Sequence, residues 1–166
     1  MNLKIRPWNK DDLESLVENA NNYEVSKFLR DTFPYPYSHE NGIDFINFAN
    51  IDNPIHLFAI EINNKAVGGI GIKPQADIMR KNAELGYWLG QNYWGKGIIS
   101  QSIKEVVDFG FKTYDIERIY ASTYGTNIAS QKVLEKNKFK LEAKIEKNIF
   151  KNGEYFDELI YAIRRK

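Results

Sequence analysis

The sequence predicts a three-layer α/β domain in which a mixed sheet is interleaved with helices. Three observations predict it. Short β-type segments alternate along the chain with amphipathic segments at helical spacing. The dipeptides Asn63-Asn64 and Asn152-Gly153 each join two extended segments as a hairpin. The length, 166 residues with 43% hydrophobic and 27% charged side chains, is that of one domain with one sizeable core.

Each element follows from local chemistry. Leu3, Ile5 and Pro7 form a short first strand closed by proline. Asn9 caps a helix over about 10–20, with Leu13, Leu16, Val17 and Ala20 on one face. A second short helix runs from Val25 to Leu29. Pro34 and Pro36 then block helix and favour an extended loop. Ser38 caps a helix through Ile43, Phe45, Ile46 and Phe48 to about Ala49. His56–Ile62 and Lys65–Lys73 are hairpin partners, and Gly68-Gly69 marks a bulge or a close backbone approach. Asn82–Gly90 is a strand carrying Glu84, Gly86 and Trp88 on one face and Leu85, Tyr87 and Leu89 on the other. A helix from about Ile98 places Ile99, Ile103, Val106, Val107 and Phe111 at helical spacing. Strand Glu117–Tyr124, helix Ile128–Asn137 and strands Phe139–Phe150 and Tyr155–Ile163 complete the chain.

Composition narrows the function. With 23 Lys plus Arg against 22 Asp plus Glu, the formal charge is +1, which argues against a nucleic-acid binder with a broad basic field. Cysteine is absent, so disulfides, thiolate metal sites and cysteine nucleophiles are excluded. The histidines are His39 and His56; His39-Glu40 begins a zincin pattern, but Ile43 stands where its second histidine belongs. No metal is expected. No G-x-S-x-G elbow is present. No apolar run nears the roughly 20 residues that span a bilayer, and Met1–Pro7 lacks a signal-peptide core. The expectation is a cytoplasmic protein without membrane or nucleic-acid partners, as a monomer or homodimer.

The informative segment is Leu89-Gly90-Gln91-Asn92-Tyr93-Trp94-Gly95-Lys96-Gly97-Ile98, between an expected strand and an expected helix. Glycines 95 and 97 permit a tight turn with unshielded N–H groups, and the helix N-terminus adds more N–H groups and a positive dipole end. A Walker A loop fails because Gly97 sits where Ser or Thr must hold magnesium. A dinucleotide G-x-G-x-x-G fails at Ser100. Two readings remain: a plain glycine-rich turn, or a pyrophosphate cradle made of backbone without metal.

Glu84-Leu85-Gly86-Tyr87-Trp88-Leu89 followed by Tyr93-Trp94-Gly95-Lys96-Gly97 resembles the acetyl-CoA-binding motif of the GNAT superfamily of N-acetyltransferases, in detail the branch of the ribosomal-protein N-terminal acetyltransferases RimJ and RimL. Asn127-Ile128-Ala129-Ser130 with Val133-Leu134-Glu135-Lys136 and Phe139 resembles the family's second motif. Pro34-Tyr35-Pro36-Tyr37 and Asn152-Gly153-Glu154-Tyr155-Phe156-Asp157 also match, so the resemblance covers essentially the whole chain, residues 1–166, as a single domain. It departs at Lys138, where the family usually has glycine, and at Leu134, where other branches place a tyrosine acid.

The resemblance implies a mostly antiparallel central sheet with helices on both faces. It also implies acetyl-CoA as co-substrate, with strand Glu84–Gly90 splaying from Ile119–Tyr124 to admit the pantetheine. Leu89, Gly90, Trp94, Gly95, Lys96, Gly97, Ile98, Ile99, Ser100 and Asn127 are the expected cofactor-binding residues. A backbone N–H in Leu89–Gly90 is a candidate oxyanion donor, Glu84 the candidate general base and Ser130 the candidate acid toward the thiolate. Each has a structural reading as well: a strand-end glutamate for Glu84, a first-turn helix serine for Ser130 and a helix cap for Asn127. With no cysteine, the amine attacks acetyl-CoA directly. Phe33, Tyr35 and Tyr37 are candidate walls of the acceptor pocket. Asp11, Asp12, Glu14, Glu18, Glu24 and Asp31 would suit a cationic acceptor or form solvated helix faces. The expected activity is acetyl transfer to a primary amine, a protein N-terminus or a small molecule; the alternatives are a polyamine acetyltransferase or a CoA-binding regulatory domain with weak catalysis.

Overall fold

The computed structural model describes residues 2–166. The strands are β1 Leu3–Pro7, β2 Leu57–Ile62, β3 Lys65–Pro74, β4 Asn82–Leu89, β5 Arg118–Tyr124, β6 Lys140–Lys151 and β7 Glu154–Arg164. The helices are α1 Leu13–Ala20, α2 Tyr23–Ser26, α3 His39–Ala49, α4 Ile98–Thr113 and α5 Ile128–Lys136. The sheet has seven strands in the order β1-β2-β3-β4-β5-β7-β6, mostly antiparallel, with β4 and β5 parallel. This is the mixed α/β architecture that the sequence predicts. The chain divides into two compact units: the chain up to Gly71 with Tyr87–Ser102, and Ile72–Gly86 with Ile103–Lys166.

In the first unit β1, β2 and β3 form an antiparallel meander, turned at Asn63 and Asn64, whose φ values of 49° and 66° are those of a tight hairpin turn. Leu16 and Ala20 of α1 and Ile46 and Ala49 of α3 are buried with Ala59 and Ala66 of the strands. The helices approach closely: a Cβ on Gly42 of α3 would lie 2.7 Å from Leu13 Cδ1. Ser38 caps α3 as expected, its side chain accepting the Asn41 N–H. The first helix departs from expectation, since Lys10–Asp12 is a 3-10 turn and α1 begins only at Leu13. The Asp12 carboxylate accepts the Asn9 N–H at 2.9 Å and both terminal nitrogens of Arg6, which draws this turn tight. The next helix is Tyr23–Ser26 rather than Val25–Leu29, because Asn22 caps it by accepting the Glu24 N–H. The β2–β3 register shifts between Ile60 and Glu61, so the bulge falls at Val67, one residue before the glycine pair.

In the second unit β5 pairs along its whole length with β7, from Arg118↔Arg164 to Tyr124↔Glu158. β6 and β7 form a long hairpin turned at Asn152 (φ 52°) and Gly153 (φ 79°). Ile119, Ala121, Thr123, Leu159 and Tyr161 are buried on one face of these strands. Helix α4 lies close against that core: a Cβ on Gly110 would meet Ile72 Cδ1 at 2.5 Å and Ile119 Cδ1 at 3.4 Å.

Helix α5 ends in a paired closure, with Phe139 N–H donating to Leu134 O at 3.1 Å and Lys138 N–H to Glu135 O at 2.9 Å. This closure requires a left-handed residue, and Lys138 has φ 66°. A side chain there costs about 1–2 kcal/mol, partly offset by the greater unfolded entropy of glycine. Lys138→Gly is therefore expected to stabilise the protein by about 0.5–1 kcal/mol, read as a rise in urea midpoint at unchanged slope. A fall in midpoint would show that the lysine side chain contributes more than its backbone strain removes.

Candidate active site

The turn between β4 and α4 is built from backbone. Gly90 N–H donates to Val67 O at 2.8 Å, which holds the end of β4 to β3. Donors alternate in direction along a strand, so the Leu89 N–H points away from β3. Trp94 folds back, its indole N–H donating to Leu89 O at 2.8 Å. Gly95 and Gly97 then take φ values of 72° and 74°. Around both, a Cβ would meet nothing within 4 Å, so these glycines are required by backbone conformation and not by crowding. Gln101 N–H donates to Gly97 O at 3.1 Å and closes the first turn of α4. Among the described residues, the N–H groups of Gly95, Gly97, Ile98 and Ile99 meet no backbone acceptor. Ile98 is buried, Ile99 and Ser100 are half-buried, and Gly95, Lys96 and Gly97 are exposed. The Lys96 ammonium donates to Asn92 O at 2.8 Å and lies 5.3 Å from the centre of the Tyr93 ring.

Two expectations change here. Gly90 N–H is spent on Val67, so of the Leu89–Gly90 pair only Leu89 remains a candidate oxyanion donor. Tyr37 is 4% exposed and belongs to the core of the first unit, so it is no surface of a pocket. Burial pushes its phenol up to about 12. It packs against Phe33 at 5.2 Å, and Phe33 in turn meets Trp88 edge-on at 5.3 Å. Tyr35 is exposed and stands edge-on to Tyr23 at 5.7 Å.

The first unit adds residues that the sequence did not reveal. A Cβ on Gly90 would lie 2.1 Å from Asn19 Oδ1, so α1 presses against the turn. Asn22 Nδ2 donates to Gln91 Oε1 at 2.9 Å. Asn19 lies within α1 and Asn22 caps α2, and no local pattern marks either as a neighbour of this turn.

In the second unit Glu84 is half-buried on β4 and opposite Tyr120. The β4–β5 register comprises Asn82↔Arg118, Ala83↔Ile119 and Glu84↔Tyr120 and goes no further, although β5 continues. Asn127 caps α5, its Oδ1 accepting the Ser130 N–H at 3.2 Å. Ser130 is half-buried in the first turn of α5, and Leu134, one turn on, is fully buried.

The model of the acetyltransferase (GNAT) domain matches residues 2–140. An uncharacterized N-acetyltransferase, p20, of Bacillus licheniformis is 26% identical over 99% of this chain and 93% of its own length. The Escherichia coli ribosomal-protein-serine acetyltransferase is 29% identical over 64% of this chain and 59% of its own. The spermidine N(1)-acetyltransferase of the same organism is 23% identical over 92% of this chain and 81% of its own. The crystal structure of a GNAT-family acetyltransferase from Bacillus anthracis superposes with a TM-score of 0.84 at 25% identity, covering 99% of this chain and 95% of that one.

Placing a β-branched side chain at φ 74° costs at least about 1–2 kcal/mol of turn geometry. Gly97→Val is thus expected to weaken CoA binding by about tenfold or more, measured by titration calorimetry, with chelator leaving wild-type affinity unchanged. Normal affinity in the variant, or a metal requirement in the wild type, would remove this turn from phosphate binding.

Proposed function

The chain belongs to the GNAT acetyltransferase family, and we propose that it moves an acetyl group from acetyl-CoA directly to a primary amine, on a peptide N-terminus or a small molecule. The observation that carries this reading is the end of β4: one N–H turned away from β3 at Leu89, followed by two left-handed glycines and the open first turn of α4. Backbone donors of this kind suit a pyrophosphate, and the site needs no side-chain cation to bind one. The two Escherichia coli relatives are named for a ribosomal-protein serine and for N(1) of spermidine, which supports acetyl transfer and leaves both kinds of acceptor open. Residues 1–166 are proposed to act as one catalytic domain.

Chemistry divides among few groups. Leu89 N–H donates to the thioester oxygen as negative charge grows on it. Glu84 accepts a proton from the acceptor ammonium, directly or through one water. Ser130 Oγ gives its proton to the departing thiolate as the C–S bond breaks and regains one from the nitrogen as the amide forms. Of the two protons the ammonium loses, one goes to Glu84 and one ends on the CoA sulfur. Asn127 holds the first turn of α5 and so fixes the backbone of Ser130.

Two substitutions test the assignments. Glu84→Gln is expected to lower kcat by about 10²-fold or more with CoA affinity unchanged. An acidic limb of the pH–rate profile identical in the variant would remove Glu84 from the base role. For Ser130→Ala, the expected result is slower single-turnover transfer with an unchanged melting temperature, because alanine favours helix and the Asn127 cap uses only the Ser130 N–H. Full activity with reduced stability would assign this serine to structure.

A further inference from the structure

One carboxylate on the second unit is held in place without a compensating charge. Glu158 of β7 accepts from Ser122 Oγ at 2.5 Å and from Asn148 Nδ2 at 2.6 Å, one donor for each oxygen. Neighbouring acids are neutralised: Glu142 by Arg118 and Arg164, and Asp157 by Lys144. Among the described residues Glu158 meets only neutral donors. It is half-buried, and Ser122 beside it is exposed.

Register places this carboxylate on a particular face. Glu158 lies opposite Tyr124, two residues beyond Ser122, and Glu84 lies opposite Tyr120, two residues before it. Side chains alternate along strands, so Glu84, Ser122 and Glu158 share one face, and the buried residues Ile119, Ala121 and Thr123 occupy the other. Ile160, the next residue of β7 on this face, and Ile145, opposite Glu158 on β6, give it an apolar flank that is only partly covered. A distortion of β6 supplies the second donor. Ile145 pairs with Glu158 and Ile149 with Phe156, so three β6 residues stand against Asp157 alone. The Lys147 N–H, donating to Asp157 Oδ1 at 3.0 Å, pins this bulge and leaves Asn148 on Glu158. Bulges re-aim side chains in this way beside functional sites.

We infer that Glu158 is a specificity residue that receives a second positive charge of the acceptor, a cation separated by an aliphatic stem from the amine that is acetylated. The inference rests on the acetyltransferase reading above and narrows its acceptor. A carboxylate fixed by two donors and lacking a cation binds an ammonium with little reorganisation. The aliphatic stem lies on Ile145 and Ile160. An aliphatic diamine and a peptide whose N-terminus neighbours a lysine share this chemistry.

The test compares 1,4-diaminobutane with butylamine, and Ala-Lys-Ala with Ala-Ala-Ala, as acceptors for wild type and Glu158→Gln, following CoA release. Calorimetric binding of each acceptor is measured in parallel. In the wild type, one acceptor with the second positive charge is expected to exceed its counterpart without it in kcat/KM by about tenfold or more; the pair that shows it identifies the source. In Glu158→Gln the advantage falls to about twofold or less, through KM, and the acceptor with the second charge binds correspondingly more weakly. Activity toward the counterpart without the second charge and the melting temperature stay unchanged. An advantage that survives the substitution, or equal loss toward both members of a pair, overturns the inference. No CoA release with any amine, in protein that still binds CoA, overturns the acetyltransferase reading and this inference with it. Transfer to all four acceptors without charge preference overturns the inference alone.

Discussion

The backbone of β4 is committed on one edge and released on the other, and this asymmetry organises the site. Against β3 the fit is so close that a Cβ on Gly68 would lie 2.5 Å from Trp88 O, and Gly90 N–H closes the contact on Val67 O. Toward β5 the register stops at Glu84↔Tyr120. Backbone groups that leave a ladder must find another partner or water. In the proposed reading the Leu89 N–H finds it in the reacting thioester, so the donor is set by the β3 ladder before any ligand arrives. Preorganisation of this kind is what makes a single N–H effective in stabilising developing charge.

The same economy explains the glycines. Gly68 and Gly90 are small because neighbours occupy the space a Cβ would need, Trp88 O in one case and Asn19 Oδ1 in the other. Gly95 and Gly97 have open space around them and are fixed by φ alone. Two physical causes thus produce one residue type. A substitution at 68 or 90 would displace packed groups, whereas one at 95 or 97 would re-aim the N–H groups of the turn.

Most of what could be read from the sequence was local. The hairpins follow from Asn63-Asn64 and Asn152-Gly153, whose residues adopt positive φ. The capped helices follow from Ser38 and Asn127, which both accept the expected N–H. The left-handed turn before α4 follows from Gly95 and Gly97 at a helix start. What escaped was set by distant partners. Tyr37 looks like a loop aromatic after two prolines, yet the core formed with Leu16, Ile46 and Trp8 buries it. The 3-10 start of the first helix depends on Arg6, which reaches Asp12 from another element. Of the two readings of Gly68-Gly69, Gly68 makes the close backbone approach, whereas the bulge falls at Val67 because the pairing of Ile60 and Glu61 across the hairpin decides the register. Glu158 carries no local signal, since nothing in its neighbourhood of sequence reveals Ser122, two residues from its β5 partner Tyr124.

Two carboxylate settings in this chain contrast. Asp12 and Glu61, with side chains 7% and 8% exposed, are held by Arg6, and Lys4 also reaches Glu61. The hydrogen bond from Arg6 outweighs desolvation and keeps the Glu61 carboxyl below its usual range. Removing one member of such a group strands the others, which is why buried acids persist only with cations beside them. Glu158 is less deeply placed and has only a hydroxyl and an amide. A half-buried site tolerates that because water can complete the charge's solvation, and water is what an incoming cation displaces. The Arg6 group is closed by its own partners and contributes to the fold; Glu158 is fixed in direction but left open in charge, the condition that recognition of a cation requires.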